Sequence, residues 1–164
     1  MMYLREATEE DRVLVLSWRN NPLIWAGTYT QRTPLSWQDH KIWWSSRKDH
    51  IMLMVILIEE DIAREIGVLN ISPLSYWSPE IGIIIGDVSL WNKGYGTEAF
   101  RLGCRWLKEK GYRYTSTTVL DTNRSAIRML EKLGFHRTCE AREGESRYAK
   151  ELNTIGDCPV MGSM

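Results

Sequence analysis

No apolar stretch of the 164-residue chain could span a bilayer. The longest, Ile51 to Ile58, falls far short of the roughly 20 residues a membrane helix needs. The sequence has no excess of either charge, with 21 Lys and Arg against 21 Asp and Glu, so the overall field gives no argument for a nucleic-acid partner. Its three cysteines, Cys104, Cys139 and Cys158, are an odd number without metal-ligand spacing; neither a disulfide framework nor a metal site is expected. No neighbouring His or Asp motif activates their thiols, and Cys139 and Cys158 are expected on paired closing strands. Arg5, Glu6, Glu9, Glu10, Asp11 and Arg12 interrupt the N-terminus, which argues against a signal peptide and for a cytoplasmic location. Repeats and low-complexity linkers are missing, so residues 1–164 are read as a single domain with 43% hydrophobic content, ordinary for a soluble globule. Two phosphate fingerprints are missing as well: the Gly-Lys-Ser/Thr ending of a Walker loop and the three spaced glycines of a dinucleotide fold.

What is there is a different glycine turn, Trp91-Asn92-Lys93-Gly94-Tyr95-Gly96-Thr97. Before it, Glu80-Ile81-Gly82-Ile83-Ile84-Ile85-Gly86 reads as a strand. After it, Ala99, Leu102, Gly103, Trp106 and Leu107 share one helical face. Glycines let a backbone approach a ligand closely, and the first N–H groups of a helix have no intrahelical acceptor, so this corner suits an anion such as a pyrophosphate. An ordinary tight turn is the competing reading. Thirty residues on, Tyr114 to Leu120 is a strand-like run, followed by Asn123 and a helix through Ile127, Leu130 and Leu133 that closes at Gly134-Phe135.

The rest of the chain reads coarsely. Met2 to Ala7 is a first strand, Thr8 with Asp11 caps a helix that Asn20-Asn21-Pro22 ends, and Ser36 caps a second helix through Trp44. Ile51 to Ile58, Glu65 to Ile71 and Ile81 to Gly86 form an antiparallel meander. The expected architecture is α/β (α+β): a mixed, mostly antiparallel central sheet with helices on both faces.

The segments at 91–99 and 123–135 resemble the acetyl-CoA-binding core of the GNAT N-acetyltransferases. Cys139-Glu140-Ala141-Arg142-Glu143 and Asp157-Cys158-Pro159-Val160-Met161 resemble the closing two strands of the ribosomal-protein alanine (Rim-type) branch, in which a Trp at the position of Trp91 is familiar. The resemblance implies that acetyl-CoA is the cofactor. Its pantetheine arm would pair with the splayed strand at Ile83, Ile84 and Ile85, its pyrophosphate would lie on the turn from Trp91 and Asn92 through Lys93, Gly94, Tyr95 and Gly96 to Thr97, and Asn123 would contact the arm or an ordered water. Holding a thioester and an amine together makes aminolysis effectively unimolecular. The tyrosine that many family members place four residues before Gly-Phe, to reprotonate the thiolate, is Leu130 here.

Two residues stand out as bases for the amine. Glu80 opens the fourth strand, where an apolar site would raise its pKa, and His40 titrates near neutrality; a solvated strand-entry glutamate and a helix-orienting histidine are their respective structural alternatives. For the acceptor, Arg19, Trp37 and Trp44 are the expected contacts, with Trp43 given to the core. The Trp18-Arg19-Asn20 segment with Ser36-x-x-x-His40-x-x-Trp43 is also similar to acetyltransferases of nucleotide-linked amino sugars. The acceptor is thus a peptide or small-molecule amine. Family members often form homodimers, though no segment here specifies one. A catalytically silent acyl-CoA-binding module, suggested by Leu130, and an oligomerisation domain using the Trp-rich N-terminal half are the alternatives.

Overall fold

A computed structural model describes residues 1–28, 31–46 and 48–152. Seven strands form one sheet: β1 (Met2–Glu6), β2 (Ile51–Glu59), β3 (Ile62–Ser72), β4 (Glu80–Ile85), β5 (Tyr114–Leu120), β6 (His136–Arg142) and β7 (Glu145–Glu151), in the order β1-β2-β3-β4-β5-β7-β6. Every neighbouring pair is antiparallel except β4 with β5. The helices are α1 (Arg12–Arg19), α2 (Pro22–Trp25), α3 (Trp37–Ser46), α4 (Tyr95–Glu109) and α5 (Arg124–Lys132).

The uninterrupted apolar run in β2 follows from its place in the sheet, because both of its faces are covered. Leu53, Val55 and Leu57 join one core with Leu69, Ile81, Phe100, Leu107, Leu130 and Phe135, beneath α4 and α5. Met52, Met54 and Ile56 join a second core with Val15, Trp18, Ile24 and Val68, beneath α1 and α2. A bulge opposite Val55 and Ile56 leaves Ile66 out of register, so Ile66 and Val68 fall on opposite cores although two residues apart.

Local chemistry sets the helix ends. Thr8 and Asp11 make a capping box at a 3-10 turn (Glu9–Asp11) that leads into α1. Asp11 is further held by a bidentate contact to Arg5, both bonds 2.8 Å. This pairing, first among its causes, holds the Asp11 carboxyl below the usual carboxylate range. Ser36 and Asp39 form the second box: the Asp39 N–H donates to Ser36 Oγ at 3.0 Å and the Ser36 N–H to Asp39 Oδ2 at 3.4 Å. Helix α5 stops as the sequence indicates, with the Phe135 N–H donating to the Leu130 carbonyl (2.9 Å) and the Gly134 N–H to that of Glu131 (3.0 Å), a Schellman arrangement. The Phe135 ring then meets Phe100 of α4 edge-on at 5.4 Å.

Two differences from the sequence reading concern chain direction. Asn21 not only ends α1 but accepts from the Leu23 N–H at 3.0 Å, capping the short α2 with Pro22 at its first turn. The closing strand that pairs with β6 is β7, reached through a turn with Gly144 at φ 80°. The expected closing segment Asp157–Met161, with Cys158, lies outside the described residues.

Candidate active site

The two parallel strands separate almost as soon as they meet. Glu80 opposite Ser116 is the single register pair of β4 with β5, so beyond it the edge of β4 through Ile83, Ile84 and Ile85 has no strand partner among the described residues. Ile83 and Ile85 pack toward the α4 core and Ile84 toward the α1 core. The groups this edge offers are therefore backbone amides and carbonyls, which an extended chain such as a pantetheine arm can pair with.

At the end of β4 the chain turns on side-chain caps. Asp87 accepts from the Ser89 N–H at 3.0 Å, closing a 3-10 turn (Val88–Leu90). Arg64 of β3 reaches Asp87 at 3.0 Å and Glu59 at 3.4 Å, tying the turn to the β2–β3 hairpin. Asn92 and Gly94 both have left-handed backbones, φ 59° and 89°, and only Gly adopts this without cost. The first intrahelical bond of α4 runs from the Glu98 N–H to the Gly94 carbonyl, 3.1 Å. The amides of Tyr95, Gly96 and Thr97 precede it and have no acceptor within the helix. Asn92, Lys93 and Gly94 are exposed. A Cβ on Gly94 would meet nothing within 4 Å, and one on Gly96 would sit 3.8 Å from Ile85 Cγ1, which places the open side of the turn against the free end of β4. Open amides, a Lys and an unpaired strand edge at one corner fit a pyrophosphate carried on an extended arm.

Trp91 takes a part that the sequence does not reveal. Its indole Nε1–H donates to the Ile85 carbonyl at 2.9 Å, joining the last carbonyl of β4 to the glycine turn. Asn123 caps α5, its Oδ1 accepting from the Ala126 N–H at 3.2 Å, which leaves the carboxamide N–H donors unused by the cap. Leu130 is buried, 2% exposed, against the α4 core, so its position supplies packing and no proton.

The two base candidates have different surroundings. His40 has no exposed surface. Its Nε2 lies 2.9 Å from the Arg12 carbonyl and its Nδ1 3.1 Å from the Arg19 guanidinium. A carbonyl can only accept and a guanidinium only donate, so the ring is neutral with its proton on Nε2. Burial, then the Arg19 charge, hold its pKa below that of an ordinary imidazole. His40 is thus a buried bridge between α1 and α3. The folded chain takes up this proton less readily than the unfolded chain, so unfolding becomes easier as the pH falls through about 6.5. We expect the melting temperature to drop between pH 7.5 and 5 and part of that slope to vanish in His40→Leu; an unchanged slope would mean that the ring is not held neutral.

Glu80 is instead half-exposed, its side chain at 39%, and its charge partner is Arg147 Nη2 at 3.7 Å. The apolar enclosure expected around it is not what surrounds it. Two of the expected acceptor residues, Trp37 and Trp44, gather around His40 together with Trp43, which the sequence assigns to the core, with ring centroids at 6.1, 5.8 and 5.7 Å respectively. Arg19 lies 4.0 Å over the Trp43 ring; as placed, its guanidinium serves the α1–α3 contact, not an open nucleotide site. Trp44 packs on the second core, whereas Trp37 stays 41% exposed. Arg147 was not legible as a site residue, because β7 carries no strand-like pattern.

Residues 2–136 match the Acetyltransferase (GNAT) domain family. An uncharacterized protein of Methanocaldococcus jannaschii is 38% identical over 149 residues, 91% of this chain but 31% of the relative; the chain thus spans about a third of the length of that curated relative. The crystal structure of a domain from M. jannaschii superimposes with a TM-score of 0.89 at 37% identity, covering 92% of this chain and 98% of the other. Spermidine N-acetyltransferase from Vibrio cholerae, solved with CoA and spermine, shares the fold with a TM-score of 0.81 at 15% identity, over 92% and 95% of the two chains. The chain belongs to the GNAT acetyltransferase family.

Proposed function

We propose that the chain is an acetyl-CoA-dependent N-acetyltransferase acting on a primary amine by direct transfer. The observation that carries this is the corner where the unpaired edge of β4 runs into the left-handed glycine turn and the open amides of α4. When bound, acetyl-CoA supplies an acyl thioester, the group an amine attacks. The amides of Tyr95, Gly96 and Thr97 would hold the pyrophosphate, with Lys93 adding positive charge, the backbone of Ile83 to Ile85 would align the arm, and Asn123 would donate to it. Trp91 fixes the turn against the strand these groups depend on.

Glu80 is the base in this reading: it would take the proton from an ammonium acceptor, directly or through water, and its location where β4 and β5 part supports that role. His40 is assigned to positioning α3, not to the base. Leu130 leaves the thiolate without a side-chain donor at that position. Since positioned acids contribute roughly 10²–10⁴-fold, proximity can carry the reaction. Of the tryptophans, Trp37 keeps an exposed ring for the acceptor. A soluble, cytoplasmic enzyme acting on peptide, amino-sugar or polyamine amines is consistent with the lack of a membrane-length helix among the described residues.

The test is thiol release from acetyl-CoA in the presence of amino-acid amides, amino sugars and polyamines. Turnover that depends on one of these amines is expected. Cofactor binding without turnover across the panel would favour the silent-module reading suggested by Leu130.

A further inference from the structure

Strand β4 is interior to the sheet, flanked by β3 and β5, yet one of its residues faces open space. Ile81 belongs to the core on the α4 side and Ile84 to the core beneath α1 and α2. Since strand residues alternate between faces, Glu80, Gly82 and Ile84 share the face that carries α1. Both ends of this row are occupied. Ile84 packs on the second core, and beyond it the Trp18 ring of α1 lies so close to Gly86 that an added Cβ would fall 2.1–2.3 Å from its atoms. At the other end Glu80 meets Arg147 at 3.7 Å. Between them Gly82 is exposed, and a Cβ there would meet nothing within 4 Å. Helix α1 thus roofs one end of β4 and leaves a gap above Gly82.

Nothing in the protein's own packing requires glycine at this place. Its backbone is not left-handed, and within a strand glycine weakens the structure and offers no side chain to pack. A glycine inside a strand often marks the close approach of a ligand to the backbone. Gly82 stands where such an approach is needed. Glu80 lies two residues back on the same face, about 7 Å away, and the edge of β4 that would align the cofactor arm continues from Gly82 into Ile83, past the single register pair with β5.

We infer that Gly82 is the floor of the acceptor site, and that its missing side chain admits amines whose nitrogen sits on a branched carbon, as in amino sugars and in the amides of amino acids other than glycine. This rests on the acetyltransferase reading above, with Glu80 as the base. An amine on a methylene group is narrow enough to pass over an alanine methyl. An amine on a branched carbon carries a further substituent, which takes the space that a Cβ at position 82 would fill.

The experiment compares wild type, Gly82→Ala and Gly82→Val by thiol release from acetyl-CoA. Alanine amide and glucosamine serve as branched-carbon amines, glycine amide and spermidine as methylene amines. Wild type should turn over a branched-carbon amine. For it, Gly82→Val should lower kcat/KM about 10²-fold and Gly82→Ala about 10-fold, with smaller losses on the methylene amines. Both variants should bind acetyl-CoA as wild type does in calorimetry and melt no lower, since either residue suits a strand better than glycine. Unchanged kcat/KM in Gly82→Val, equal losses for both kinds of amine, or wild-type turnover of methylene amines alone would overturn the floor and leave the acetyltransferase reading standing. Lost acetyl-CoA binding or a lower melting temperature in both variants would also overturn it, by giving Gly82 to the cofactor or to the fold. Absence of turnover with every amine, in a wild type that binds acetyl-CoA, would defeat the acetyltransferase reading itself and the floor with it.

Discussion

Gly96→Val is expected to abolish coenzyme A binding while leaving the fold intact. Gly96 lies in the first turn of α4 with no left-handed backbone, and a Cβ there meets only Ile85 Cγ1, at an ordinary 3.8 Å. Val is also the better helix former by a few tenths of a kcal/mol, so the free protein should melt within a few degrees of wild type. The added methyls, however, fill the gap between the helix amides and the end of β4, where the pyrophosphate would have to approach. A ligand at a hundred times its Kd stabilises by about 2.7 kcal/mol, or roughly 5–11 °C for a domain of this size. That shift should appear with acetyl-CoA in wild type and disappear in Gly96→Val. Gly94→Val is the less clean companion: its left-handed backbone adds about 1–2 kcal/mol of strain to any loss of binding. A full shift retained in Gly96→Val would show that the cofactor does not use these amides.

Gly86→Ala should be strongly destabilising. Gly86 follows β4, its N–H donating to the Ile66 carbonyl at 2.8 Å, and Trp18 of α1 lies directly over it. A Cβ at Gly86 would fall 2.1–2.3 Å from Cγ, Cδ2 and Cε2 of the Trp18 ring. Those are ring atoms of a side chain only 8% exposed, without a flexible end to swing aside. Overpacking of this kind costs about 3 kcal/mol, or roughly 6–12 °C. Adding Trp18→Leu should relieve the clash, so the double variant should lose less than the two single variants together. Urea unfolding midpoints of the four proteins measure this. A Gly86→Ala protein within about 1 kcal/mol of wild type would mean that α1 does not press on the strand as described. Because α1 and the end of β4 share this contact, the same variant should weaken cofactor binding.

The parts of this structure that are local in sequence are the parts the sequence discloses. Tyr114–Leu120 has the expected boundaries because β-branched residues fill both faces of a central strand. The Gly134-Phe135 stop and the Thr8–Asp11 and Ser36–Asp39 caps likewise depend on residues three to five apart. The glycine turn is legible for the same reason. What is not legible depends on distant pairing. Strand β7, Glu145-Ser-Arg-Tyr-Ala-Lys-Glu, mixes charge and apolarity because its two faces meet different surroundings, Tyr148 in the core and Arg147 over β5. Asn21-Pro22 reads as a stop because the same residues that end one helix can cap the next. His40 reads as a titratable group near neutrality, and only the packing of α1 against α3 shows both ring nitrogens engaged. The Trp91 bond to Ile85 depends on a turn geometry that no spacing rule encodes.

Calorimetric titration of the protein with acetyl-CoA, with ATP and NAD as controls, shows whether the corner at Gly94 binds this cofactor. Saturable binding of one acetyl-CoA per chain is expected, with no comparable heat from the controls and with Gly96→Val silent. No binding at millimolar acetyl-CoA, or equal binding of all three nucleotides, would contradict it and reduce the corner at Gly94 to a turn.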